Sequence, residues 1–198
     1  LAEKFWPGPL TLIAPKRDEV STTITSGLTT VAIRCPNPPV FLQAIREVGV
    51  PLAAPSANRF GRTSPTTAEH VEDEFVGRVA VVDGGACSVG LESTVISAEQ
   101  AEGKWLVKIL RPGGISRQAL ADFLNERKVA FEITRASSLA SPGNLKEHYQ
   151  PLSPVVIVTR EWSDEKLRGY VGSKLGIKIS GISELKLPAT PQEAARVL

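Results

Sequence analysis

An α/β fold is predicted by three observations. Short apolar runs alternate with amphipathic stretches of helical period along most of the 198 residues. Turn-forming clusters rich in Pro, Gly, Asp and Asn punctuate the changeovers. Polar motifs such as Pro55-Ser56-Ala57-Asn58 sit where apolar runs stop, as ligand loops do at strand ends in α/β sheets.

The elements follow in order. Residues 10–14 are an apolar run after a Pro/Gly cluster, and 31–34 are another; both predict strands. Residues 39–48 carry apolar side chains at Val40, Phe41, Ala44, Ile45 and Val48 behind Pro39, which predicts an amphipathic helix. Residues 51–54 predict a short strand broken at Pro55. Thr67 suits a helix start, and Val71 and Phe75 lie one turn apart, so 67–75 predicts a helix. Residues 79–82 predict a strand ending in the Asp83-Gly84-Gly85 turn. Strands are expected at 94–97 and 105–110, with a hairpin connection across 100–103. Ser116 suits the N-cap of a helix over 116–127, whose buried stripe is Leu120, Phe123 and Leu124. A strand over 129–134 follows.

Composition changes at 136–153, which is rich in Ser, Pro, Gly and polar residues without a steady period. It reads as a linker or an ordered crossing loop. Alternation resumes with an apolar run at 155–158, a helix at 162–171 and a strand at 176–179, so a domain boundary is expected near residue 153. The chain starts at Leu1, contains no Met and stops within the helical pattern of 191–198; these ends are expected of a segment of a longer protein.

Apolar content of 42% and charged content of 22% suit an ordinary globular chain. No apolar run approaches bilayer length and no signal peptide is visible, so no membrane partner is expected. A formal charge of +2 is too mild to announce a nucleic-acid binder. The two cysteines, Cys35 and Cys87, form no metal-ligand spacing with His70 or His148. They are expected as small buried hydrophobes in a reducing, cytoplasmic compartment.

Four motifs could carry chemistry. Ser56 and Asn58 offer donors and acceptors without net charge, suited to a phosphate or ribose, or else to stabilising a turn. Arg34 at a strand end can clamp a carboxylate or phosphate, or lie on the surface, and Thr30 could offer a hydroxyl on the same rim. Arg111 enters Pro112-Gly113-Gly114 ahead of a helix, which suits close approach of an anion, or a plain turn. Ser93, in Glu92-Ser93-Thr94, could bond a substrate or cap a strand. A P-loop, a GxGxxG and a GxSxG are all missing. Neither histidine neighbours a candidate nucleophile, and His70 is expected on a solvated helix face. No catalytic nucleophile is therefore assigned. The expected site works by orientation and charge stabilisation.

The motifs stand in a characteristic order. Phe5-Trp6-Pro7-Gly8-Pro9-Leu10-Thr11, Val31-Ala32-Ile33-Arg34, Pro55-Ser56-Ala57-Asn58 with Ser64-Pro65-Thr66, Glu92-Ser93-Thr94 and Leu110-Arg111-Pro112-Gly113 resemble the threonylcarbamoyl-AMP synthase family, whose catalytic domain is called YrdC-like. Ser141-Pro142-Gly143 with His148-Tyr149 resembles the linker of its two-domain form. The resemblance implies a YrdC-like twisted mixed sheet with flanking helices over 1–135, a linker or lid over 136–153, and the start of a small Rossmann-like α/β domain over 154–198.

It also implies a reaction in which L-threonine, bicarbonate or CO2, and ATP give threonylcarbamoyl-AMP and pyrophosphate. Partner transferases then modify an adenosine of tRNA. ATP-side positions are Thr30, Ser56, Asn58, Ser64, Arg111 and the lid residue Tyr149. Threonine-side positions are Arg34, Ala54 and Ser93. Mg2+ is expected on the triphosphate. The family's catalytic domain has an N-terminal portion, with a Lys/Arg pair for the phosphates, that this sequence does not contain, so the segment alone is expected to be inactive. The loop after Gly143 is also less basic than is usual in the family. Two rivals remain: a carbamoyl-adenylating domain of the hydrogenase-maturation type, and a non-catalytic module with weak RNA binding.

Overall fold

A computed structural model of the protein describes residues 1–136, 155, 162–176 and 181. The chain divides into two compact units, Leu1–Gln150 and Pro151–Leu198. In the first, the elements run α1 (Ala2–Phe5), β1 (Leu10–Pro15), β2 (Thr30–Ile33), α2 (Pro39–Val48), α3 (Ala68–Phe75), β3 (Thr94–Ala101), β4 (Lys104–Arg111), α4 (Arg117–Glu126) and β5 (Phe131–Arg135).

The five strands form one mixed sheet in the order β2-β1-β3-β4-β5. β1 pairs antiparallel with β2 and parallel with β3, while β4 pairs antiparallel with β3 and parallel with β5. Each parallel pair needs a crossover, and α4 supplies the one between β4 and β5. This is the twisted mixed sheet that the sequence led us to expect. The β3–β4 hairpin turns through Glu102 and Gly103, both at positive φ, as a tight two-residue turn requires.

The core lies between this sheet and α4. Leu10, Ile96, Val107 and Ile109 from the strands meet Leu120, Phe123 and Leu124 from α4, with Ile133 from β5. The predicted stripe of α4 is the buried one, and each such side chain contributes about 1.5–3 kcal/mol. Ser116 caps α4 by accepting from the Ala119 N–H at 3.1 Å. Phe5 of α1 packs edge-on against Phe123, with centroids 5.8 Å apart.

Helices α2 and α3 form where the pattern placed them. Gly49 ends α2 at φ +73°, and Thr67 caps α3 by accepting from the His70 N–H. The apolar stripe of α2, however, stays open: Val40, Phe41 and Val48 are exposed.

Two expected strands are absent. Residues 51–54 and 79–82 run as irregular chain, with Leu52, Val79 and Val82 exposed. Neither run pairs with any of the five strands, and an unpaired apolar run is not a strand whatever its composition. The turn after the second run does form, with the Gly85 N–H donating to Asp83 Oδ1 at 2.8 Å.

The second unit contributes one described helix, α5 (Asp164–Leu175). Ser163 caps it, and Trp162 packs edge-on against Tyr170 at 5.3 Å. It runs beyond the expected 171 because the stop signal is Gly176, at φ +65°. The expected linker over 136–153, the strands at 155–158 and 176–179 and the pattern at 191–198 lie outside the described residues, apart from Ala136, Val155 and Gly176. No helix of the described residues is long and apolar enough to cross a membrane.

Candidate active site

Four loop regions meet at the ends of β1–β4. The first is the turn before β1. Its Gly8 N–H donates to the Cys35 carbonyl at 2.9 Å, and Arg34 Nε–H donates back to the Gly8 carbonyl at 3.0 Å. A Cβ at Gly8 would stand 2.5 Å from the Phe5 carbonyl oxygen, so only glycine lets this turn close. Arg34 is thereby fixed just past the end of β2, at its Nε edge. Among the described residues its hydrogen bonding is confined to that nitrogen.

The second region is Glu92-Ser93-Thr94, which leads into β3. Thr94 is fully buried; its backbone N–H donates to the Pro9 carbonyl at 2.9 Å. Its hydroxyl donates to the Ile115 carbonyl at 2.7 Å and accepts from the Ile115 N–H at 2.9 Å. The Ser93 hydroxyl shares a hydrogen bond with the buried Thr11 hydroxyl at 2.7 Å.

The third region follows β4. Val95 faces Arg111 while Ile96 faces Ile109, so Leu110 is the extra residue of a bulge. A bulge re-aims its neighbours, and Arg111 turns onto Ser93. Its Nη2 donates to the Ser93 carbonyl at 2.9 Å and to Ser93 Oγ at 3.0 Å. Gly113 presses against the backbone of the second region and Gly114 against Pro9 and Val89, and the Gly114 N–H donates to the Glu92 carbonyl at 2.8 Å. The fourth region is the loop after Asn58. Its Ser64 hydroxyl donates to Glu92 Oε1, and its Thr66 carbonyl accepts from the Cys87 N–H at 2.8 Å.

Glu92 is the common partner. Its Oε2 lies 3.6 Å from Arg111 Nη2, and both side chains are largely covered. Burial lowers the pKa of the Arg34 guanidinium; the Glu92 carboxylate opposes that shift and the Arg111 charge adds to it. Two guanidiniums and one carboxylate thus share one partly desolvated field, with cation in excess. Such a field attracts a carboxylate or a phosphate.

The structure gathers Arg34, Ser64, Ser93 and Arg111 around Glu92. It places the other expected site residues differently. Thr30 is not on Arg34's rim: it pairs with Pro15 at the far end of β1, whereas Arg34 meets Gly8 before β1 begins. Four residue steps along the strand separate the two by roughly 13 Å, although their even spacing puts them on one face. Ala54 and Ser56 lie in exposed irregular chain, and among the described residues no hydrogen bond ties either to the cluster. Asn58 donates from Nδ2 to the Arg59 and Arg62 carbonyls at 2.9 and 3.3 Å, bracing its own loop. Its Oδ1 is buried and lacks a partner among the described residues. Tyr149 lies outside the described residues.

Two expectations about thiols and histidine are also resolved. Cys87 is exposed and Cys35 only half-buried, because both lie in the irregular chain that carries the site loops rather than in the core. His70 is exposed on α3, with Nδ1 3.3 Å from Thr66 N and Oγ1. Sequence reasoning passed over Glu92 and Thr11. The available signal was an acidic residue inside a motif set that otherwise held two arginines and hydroxyls.

Comparison with known proteins follows the same lines. A family model described as Telomere recombination, covering Sua5, YciO and YrdC, matches residues 1–113. The threonylcarbamoyl-AMP synthase of Bacillus subtilis (strain 168) is 43% identical over 174 residues, covering 86% of this chain and 49% of the relative. That of Pyrococcus abyssi (strain GE5 / Orsay) is 37% identical over 194 residues, covering 91% and 55%. The crystal structure of P. abyssi Sua5 complexed with L-threonine superposes with a TM-score of 0.74 at 33% identity, over 98% of this chain and 61% of that one. The chain spans about half the length of the curated relatives it matches. With the fold, the motif order and these similarities in agreement, the chain belongs to the Sua5/YciO/YrdC family.

Proposed function

We infer that the protein carrying this chain makes threonylcarbamoyl-AMP from L-threonine, bicarbonate or CO2, and ATP. The product serves threonylcarbamoyladenosine formation in tRNA through partner transferases, in the cytoplasm. The observation that carries this reading is the Arg34–Glu92–Arg111 cluster at the strand ends, in a chain whose relatives bear that enzyme's name. The reading is further supported by the neighbour solved with L-threonine.

The chemistry asks for positioning. The amine of threonine adds to CO2 with loss of a proton, or to bicarbonate with loss of water, to give a carbamate. A carbamate oxygen then attacks the α-phosphorus of ATP, and the bond to the β-phosphate oxygen breaks to release pyrophosphate. No enzyme-bound acyl group is required. Arg34 holds the threonine carboxylate with its guanidinium, and Ala54 and Ser93 complete the threonine side. Arg111 faces developing phosphate charge from a guanidinium already fastened to Ser93. Ser64, Ser56, Asn58 and Tyr149 form the nucleotide side. Thr30 joins them if the triphosphate runs along β2, since an extended nucleotide is long enough to reach from Arg34 to Thr30.

Mg2+ enters this reading as part of the MgATP substrate. Among the described residues no group of three or more His, Cys, Asp or Glu could hold a metal ion, and Glu92 is engaged by Ser64 and Arg111.

The test is pyrophosphate release by the full-length protein given ATP and bicarbonate, with and without L-threonine. Release is expected only with threonine. Release that ignores threonine, or that instead requires carbamoyl phosphate, would refute the assignment.

A further inference from the structure

We propose that Glu92 is the positioning residue of this site: it fixes the hydrogen of the Ser64 hydroxyl and supplies the counter-ion beside the Arg111 guanidinium. The proposal rests on the nucleotide reading of the site given above.

Glu92 is held from both sides. Its backbone carbonyl accepts from the Gly114 N–H at 2.8 Å, and the Gly113 Cα packs so close that an added Cβ would stand 2.3 Å from that same oxygen. The side chain then reaches groups from separate loops. Oε1 accepts from Ser64, and Oε2 lies 3.6 Å from Arg111 Nη2. The carboxylate also acts on Arg34 in the direction opposite to Arg111. One rigidly mounted anion thus links the Ser64 loop, which no strand pairing holds, to the end of β4.

The hydrogen-bond direction has a chemical consequence. An ionised carboxylate only accepts, so the Ser64 hydrogen points at Glu92. The lone pairs of Ser64 Oγ then face the ligand, and Ser64 accepts. It suits an N–H or O–H of a nucleoside, such as a base amine or a ribose hydroxyl, and it does not suit a phosphate oxygen. The charge has a second consequence. Without Glu92 the largely covered Arg111 guanidinium would lose the counter-ion 3.6 Å from it.

A double-mutant cycle on ATP affinity tests this in the full-length protein, using calorimetry with ATP alone. Removing a negative charge should by simple electrostatics tighten an anionic ligand. If Glu92 positions, Glu92→Gln should instead weaken ATP by fivefold or more. Ser64→Ala should weaken it to a similar degree, and the double variant should be no worse than either single one within twofold. Tighter or unchanged binding in Glu92→Gln, or losses that multiply, would overturn the proposal. Should Glu92→Gln fail to fold, Glu92→Asp retains the charge but shortens the reach to Ser64. Its loss of ATP affinity should then match that of Ser64→Ala, and full retention of affinity would overturn the proposal. Threonine dependence of pyrophosphate release in the wild-type protein separately tests the assigned reaction. ATP binding that couples Ser64 to Glu92 without any threonine requirement would sink that reaction and leave the role of Glu92 standing.

Discussion

Arg111 and Ser93 are fastened by three hydrogen bonds. Nη2 donates to the Ser93 carbonyl at 2.9 Å and to its hydroxyl at 3.0 Å, and Nε donates to the same carbonyl at 3.2 Å. The arginine thus closes the end of β4 onto the residue that precedes β3. Its guanidinium is immobilised before any ligand arrives, and a fixed charge needs no reorganisation when phosphate charge develops.

Arg111→Lys should therefore be far from conservative. An ammonium on a flexible stem cannot reproduce the planar fork that spans the carbonyl and hydroxyl of Ser93. Stability should fall by about 1–2 kcal/mol, in line with hydrogen bonds lost from a charged group. Pyrophosphate release should drop by about tenfold or more, since each 1.4 kcal/mol of lost stabilisation is a factor of ten. Urea unfolding and steady-state kinetics check the two halves, and a fully active lysine variant would contradict the role given to the fork.

Two glycine replacements should separate steric from conformational need. A Cβ at Gly113 would stand 2.3 Å from the Glu92 oxygen, 2.5 Å from the Ser93 carbonyl carbon and 2.6 Å from the Thr94 nitrogen. All three are backbone atoms and cannot swing aside. Gly113→Ala should cost roughly 3 kcal/mol, at the upper end of overpacking effects. Gly49, at φ +73° with open space around it, needs only the left-handed conformation, so Gly49→Ala should cost about 1–2 kcal/mol. Equal costs by chemical denaturation would contradict this account.

The sequence made α4 legible because every local signal agreed: Ser116 at the cap and Leu120, Phe123 and Leu124 on one face. The β3–β4 hairpin was legible as a hairpin, but β3 runs on to Ala101, past the expected end at 97, and the turn is only Glu102 and Gly103. Residues 51–54 and 79–82 were misread because four apolar residues do not specify a pairing partner, and pairing is what makes a strand. Arg34, Ser93 and Arg111 were legible as strand-end groups. Glu92 was not, because its role depends on Ser64, 28 residues away, and on arginines from two other loops. Thr30 was set on Arg34's rim although four residue steps along an extended strand already place it roughly 13 Å away.

On the far side of the sheet, Lys104 Nζ lies 2.7 Å from Glu132 Oε2, diagonally across the β4–β5 pair. The hydrogen bond from Lys104, then its charge, lowers the Glu132 pKa. A depressed carboxylate pKa in the folded state means that the pair's contribution is present above the ordinary glutamate value and lost as pH falls through the folded one. An NMR titration should find the Glu132 midpoint below about 4.3, the ordinary glutamate value, and Lys104→Met should return it there. Both carboxyl and ammonium are solvent-accessible, so raising the salt concentration should shrink the shift.

Thr94 offers the sharpest test of how the site is braced. It is fully buried at the start of β3, and its hydroxyl both donates to and accepts from the backbone of Ile115. That link pins the loop between Arg111 and α4, the same loop whose Gly113 presses on Glu92. Valine matches threonine in shape but removes the hydroxyl, leaving the Ile115 N–H and carbonyl without their partner in a covered region. Each such loss costs about 1–3 kcal/mol, so Thr94→Val should destabilise by roughly 2–6 kcal/mol. Thr94→Ser keeps both hydrogen bonds and removes one methyl group, which should cost only about 1 kcal/mol. Urea midpoints would rank the serine variant well above the valine variant. Catalysis should follow the same order, because Arg111 loses the loop that holds its backbone in place. If valine proved as stable and as active as serine, hydrogen bonding through Thr94 would not be what fixes this loop, and the bracing of Arg111 would have to come from Ser93 alone.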